Sequence, residues 1–144
     1  MNGKLQQPQC LWECMMMHSF DEVESFIDEL GFDYKEKQIN GLLYSAIGEV
    51  LMLGLEENTI NVVTYKTTFE TYYTACVDYA MRDLNYKIMI NEPNNRDHVL
   101  RLDGETLTLF CLKMIANESI SYSLRLFFKT GIATAKANVT ILPL

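Results

Sequence analysis

From Ile120 onward the chain alternates. Ile120, Tyr122, Leu124, Leu126 and Phe128 take every second position, with Ser121, Ser123, Arg125 and Lys129 on the other side and Phe127 as the apolar exception there. Beyond Thr130-Gly131-Ile132, a second alternation sets Ala133, Ala135, Ala137, Val139 and Ile141 against Thr134, Lys136, Asn138 and Thr140. A period of two sustained this long predicts a pair of half-buried antiparallel strands joined by a short turn. Their apolar side needs a cover, and the candidates lie upstream.

There the period lengthens. Ser19 and Glu22 stand three apart, as in a capping box, ahead of a stripe of Phe20, Val23, Phe26, Ile27 and Leu30 that Gly31 closes; this predicts a helix. Pro8 is placed to open a shorter helix over Cys10–Met17, which is apolar on nearly every side. Asp33 and Glu36 repeat the capping spacing. Ile39, Leu42, Leu43, Ala46, Ile47, Val50 and Leu51 then predict a helix to about Leu53, beginning at the latest after Asn40-Gly41, a dipeptide that also suits a hairpin turn. Thr67 with Glu70, followed by Phe69, Tyr72, Tyr73, Cys76, Val77, Ala80, Met81 and Leu84, predicts another helix. Strands are expected at 59–66, 86–90 and 98–102, with Asp103-Gly104 as a two-residue turn. Residues 105–115 fit either period; the preceding turn and the β-rich neighbour favour a strand.

The expected fold is α+β, with N-terminal amphipathic helices packed on one face of a mainly antiparallel C-terminal β-meander of five strands. Residues 1–7 are expected to form a flexible lead, and 8–144 a single domain. At 144 residues, one domain is the ordinary outcome.

Charge narrows the partners. A net charge of −7 argues against a nucleic-acid binder and makes an inhibitor of a basic partner plausible. No apolar run is long enough to span a membrane, so no membrane partner is expected. Cys10, Cys14, Cys76 and Cys111 lack the density of a disulfide scaffold, and the N-terminus does not read as a secretory leader. Reduced thiols and a cytoplasmic location follow as expectations. Asn117 and Asn138 match the glycosylation pattern, which means nothing without secretion.

Candidate chemistry is thin. Cys10, Cys14 and His18 sit four apart and would line one side of a helix with soft ligands. The outer two would stand roughly 12 Å apart along the axis, too far for one ion, so buried thiols beside a surface histidine is the better reading and no metal is expected. Between Asn91 and Glu105, polar residues cluster around Asp97 and His98, but adjacent strand residues point to opposite faces and such a pair would not converge. No nucleophile motif, phosphate-cradling glycine loop or cofactor motif occurs.

What remains is the aromatic and methionine usage. Leu11, Trp12, Met15 and Met16 are types that interfaces favour, and Phe127, on a polar strand face beside Arg125 and Lys129, points the same way. The expectation is a non-enzymatic, regulatory protein–protein interaction module of adaptor or inhibitor type, self-associating as a homodimer, with those five residues at the interface. A pocket protein for a small apolar ligand, or a small enzyme without a recognisable motif, are the alternatives.

Overall fold

The computed structural model describes residues 3–17 and 19–129. Two helices, α1 (Gln9–Met16) and α2 (Phe20–Asp28), precede four strands, β1 (Tyr34–Gln38), β2 (Gly41–Ala46), β3 (Glu49–Glu56) and β4 (Thr59–Thr67). Helix α3 (Glu70–Asp78) runs on into a π-helical turn, Tyr79–Asp83. Four more strands follow: β5 (Lys87–Pro93), β6 (Asp97–Asp103), β7 (Leu107–Ala116) and β8 (Ser119–Phe128). All eight form one antiparallel sheet in the order β1-β2-β3-β4-β8-β7-β6-β5. Each half is a hairpin meander, and the halves join where β4 pairs with β8.

The protein is therefore α+β with an antiparallel meander, but the meander is not confined to the C-terminal half and α3 is not N-terminal. The main correction is at 39–53, expected to be helical. Those residues form β2 and β3, with Ile39 and Ile47 nearly fully exposed in the turns at either end of β2. Leu42 and Tyr44, then Leu51 and Leu53, also carry a period of two, which the competing helical spacing masked. The turns decide between the periods: Gly48 takes φ +81°, a conformation that breaks a helix and closes a hairpin. Asp33 and Glu36 accordingly lead into β1 rather than capping a helix.

Other local expectations fare unevenly. The Ser19 hydroxyl accepts from the Glu22 amide at 3.2 Å and caps α2 as its spacing predicts. Thr67 does not cap α3: its Oγ1 accepts from the Phe69 amide at 2.9 Å, and Phe69 itself is the N-cap residue. Residues 107–116 are a strand, and the turn before them spans three residues rather than two. The strand expected at 133–141, its turn at 130–132, the Asn138 site and His18 lie outside the described residues.

The register explains the core. Across the sheet, Leu42 faces Leu53, Leu53 faces Val63, Val63 faces Leu126, Leu126 faces Leu109 and Leu109 faces Leu102. One row over run Tyr44, Leu51, Tyr65, Leu124, Cys111 and Leu100. All are buried, in a single hydrophobic cluster with Leu11, Cys14 and Met15 of α1, Val23 and Ile27 of α2, and Tyr72 and Cys76 of α3. Helix α1 packs on β4 and β8, and α3 on β8. Each buried aliphatic side chain contributes about 1.5–3 kcal/mol, so these two rows and their helical cover hold the fold together.

Candidate functional site

The alternate positions of the same strands project from the opposite side of the sheet. In register, Lys66, Ser123, Leu112 and Val99 form one outer row, and Thr64, Arg125, Phe110 and Arg101 the next. Phe110, Leu112 and Met114 of β7 make an apolar wall beside the small side chains of Ser121 and Ser123 on β8, with Lys66 of β4 on the other flank and Arg125 at the end of the serine floor, next to Phe110. The resulting groove has a volume of about 340 Å³. Its wall is half-buried, and Met114 is 42% exposed. Arg125 Nε donates to Thr64 Oγ1 at 3.3 Å. Among the described residues, neither Arg125 nor Lys66 is in an ion pair; Arg101, by contrast, is held by Asp103 at 3.0 Å.

A second concavity, about 650 Å³, lies where the N-terminal stretch crosses the start of β3 and is lined by Gly3, Lys4, Asp33, Ile47, Glu49 and Phe69 among others. Its centre is a buried carboxylate. Glu49 accepts from the Tyr65 hydroxyl at 2.6 Å and from the Lys4 amide at 3.0 and 3.1 Å. Burial first, and this bond second, push the Tyr65 phenol well above its ordinary range. Gly3 has φ +74°, and a side chain there would meet Glu49 Oε1 at 2.6 Å. Within the stretch read as a lead, Leu5 is 1% exposed and belongs to the core. The carboxylate is thus satisfied by bonds that tie the N-terminal stretch to β3 and β4, which is a structural use of it.

The residues singled out for chemistry are likewise engaged separately. His98 Nε2 bonds Asn91 Oδ1 at 2.6 Å, and Asp97 is tied to the Asn94 side chain and, through its amide, to Asn94 Oδ1 at 2.9 Å. Both border a concavity of about 190 Å³ with Asn94, Arg96 and Lys113, yet each is bonded to a different asparagine rather than to the other. Cys10 and Cys14 are buried, and the Cys10 thiol donates to the Leu5 carbonyl at 3.1 Å. Burial pushes Cys14 and Cys76 up to about 12, and raises Cys10 and Cys111 as well. All four stay as neutral thiols at physiological pH. No group of three or more potential ligands that could hold a metal occurs among the described residues.

Of the five expected interface residues, four lie inside the chain's own core. Leu11 and Met15 are buried under α1. Trp12 donates from Nε1 to the Tyr86 hydroxyl at 3.0 Å and stacks edge-on against Tyr79, with ring centroids 5.1 Å apart. Phe127 does point to the outer side, but it is only 6% exposed, seated between Val62 and Thr108. Met16 alone, at 66%, is open to a partner. Methionine and tryptophan enrichment is the same signal whether a side chain meets its own helices or another protein, and here the core took it. What the composition missed is the outer groove. Its trace was present in the apolar residues at 110, 112 and 114, but only pairing with β8 and β4 brings serines and cations beside them.

Fold and groove together describe an α+β protein with a single antiparallel sheet, on which α1 and α3 pack at β4 and β8, and a groove between an apolar wall and nearby cations. No protein-family model, curated protein or solved structure matches the chain. No helix among the described residues is long and apolar enough to cross a membrane.

Proposed function

We propose that the chain is a non-enzymatic interaction module, of adaptor or inhibitor type, that binds another protein through the outer face of its sheet. The observation that carries this reading is the groove along β7 and β8, where an apolar wall and two cations without ion-pair partners among the described residues are presented together. Apolar side chains at a groove's centre with polar groups at its rim are the arrangement by which protein interfaces are built. The non-enzymatic part of the reading is supported by Asp97, His98 and Glu49 each being committed to a separate structural bond. A cytoplasmic setting goes with it, since four separate thiols suit a reducing compartment.

The test is a photocrosslinking residue in place of Leu112, introduced in the native host. The expected result is a discrete adduct with a polypeptide identified by mass, abolished by Ser123→Trp, which fills the groove without touching the core. An adduct with a second copy of the chain would place the module's partner in itself, as the homodimer expectation holds. Failure to form any adduct from position 112 overturns the reading.

A further inference from the structure

We infer that the occupant of the outer groove is an acidic amphipathic helix of a partner protein; this rests on the interaction-module reading above. The argument begins with shape. At Ser123 the floor lies between β7 and β4, two strand spacings or roughly 9.6 Å apart, close to the roughly 10 Å diameter of a helix with its side chains; at Ser121 it runs past the end of the β4 pairing and opens on that side. Phe110, Leu112 and Met114 extend along β7 for roughly 13 Å, enough to face about two turns of helix.

Backbone chemistry then selects a helix over an extended segment. On the face of a sheet no strand edge is offered, so an extended peptide would lay its N–H and C=O groups on side chains that cannot pair them all. A helix bonds its own backbone internally and needs only an apolar stripe for the wall.

Charge selects the flanking residues. Lys66 and Arg125 stand on the rim without an ion-pair partner among the described residues, so carboxylates flanking the stripe would meet them directly. The net charge of −7 points the other way, toward a basic partner. Beyond about 8 Å at physiological salt that overall charge is screened, and the rim cations decide the contact. The same arithmetic disfavours two alternatives. A face-to-face second copy would bring Lys66 and Arg125 toward their own counterparts. An anionic membrane or nucleic acid would need a basic surface far wider than two side chains, on a chain that is acidic overall.

The experiment uses the full chain and two synthetic helical peptides of about 18 residues, long enough to hold a helix. Both carry leucine at i, i+3, i+4 and i+7 on an alanine background, with glutamate at the positions flanking the stripe in one and lysine there in the other. Amide resonances are followed by NMR during titration of each. The glutamate peptide is expected to shift residues 66, 110–114 and 121–125, and the Lys66→Glu/Arg125→Glu variant to bind it at least about tenfold more weakly. That variant should bind the lysine peptide better than the unaltered chain does, with the shifts at the same residues in a native spectrum, which a misfolded chain cannot show. Equal binding of both peptides, unchanged affinity in the variant, or shifts confined to other regions overturns the inference. The two readings fail differently. If the Leu112 crosslink to an identified partner survives charge reversal, docking stands and the acidic helix falls. If the crosslink joins position 112 to a second copy, or to residues 130–144 of the same chain, the partner helix is likewise overturned.

Discussion

The two sides of the sheet are built from the same strands, one residue out of step, and they are put to different uses. The inner side carries Leu42, Leu53, Val63, Leu126, Leu109 and Leu102 in one unbroken row, roofed by three helices. The outer side mixes Leu112 and Phe110 with Lys66, Ser123 and Arg125, and it also carries Thr64, Thr108 and Phe127 as buried side chains. Both sides contain large apolar residues. What separates them is continuity: the inner row leaves no place for a charge, whereas the outer rows mix polar, charged and apolar positions across the strands, as in Thr64, Arg125, Phe110 and Arg101. Apolar content alone is therefore a poor guide to which side is core, and the run of cross-strand neighbours is the better one.

Alkali should act on the inner side through its buried thiols and phenols. The inner thiols Cys14 and Cys76 ionise near 12 in the folded chain against an ordinary value of 9.0, and burial raises Tyr72 and Tyr65 too. A group whose pKa is raised by folding adds stability that is complete below its unfolded value and is lost as pH climbs toward the folded one. Stability should therefore hold to about pH 9 and drain between about 9 and 12, ending in cooperative unfolding by near-ultraviolet circular dichroism. Thiols that react readily at pH 9 while the dichroism stays native would break the comparison.

Next in size is Leu124→Ala, at the centre of the inner side between Tyr65 and Cys111. It should cost about 2–5 kcal/mol in urea unfolding, since the cavity it leaves is enclosed by helices and strands. Removing the buried carboxylate in Glu49→Ala should cost about 1–3 kcal/mol, because the Tyr65 hydroxyl and Lys4 amide lose their partner. Faster exchange of the Lys4 amide would report the same release, and an unchanged rate would show that the N-terminal stretch is held by the burial of Leu5 and the Tyr72 hydroxyl's bond to the Gln7 carbonyl instead. Leu112→Ser, on the outer side, should stay within about 1 kcal/mol. A loss as large as that of Leu124→Ala would mean that this side is core after all.

How far these features could be read in advance depended on how many elements had to cooperate. The Ser19–Glu22 cap is local, and it formed where its spacing placed it. The strand at 107–116 was recoverable because a turn signal precedes it and alternation continues beyond. Residues 39–53 were misread because Leu42, Leu43, Ala46, Ile47, Val50 and Leu51 satisfy a helical period almost as well as a strand one. Trp12 and Met15 were read outward because nothing in their own stretch reveals that α3 and the sheet would enclose them. The candidate groove was out of reach for the same reason: Lys66 and Leu112 are brought together by β8, which pairs with both of their strands.

Alternation and spacing along the chain were enough to establish an α+β protein with antiparallel strands, because side-chain direction within one element follows from backbone geometry alone. Which apolar face became the core, which aromatic was enclosed, and where two cations came to flank a greasy channel were settled by strand order and register. Those depend on contacts between residues far apart in the chain, and no local period encodes them.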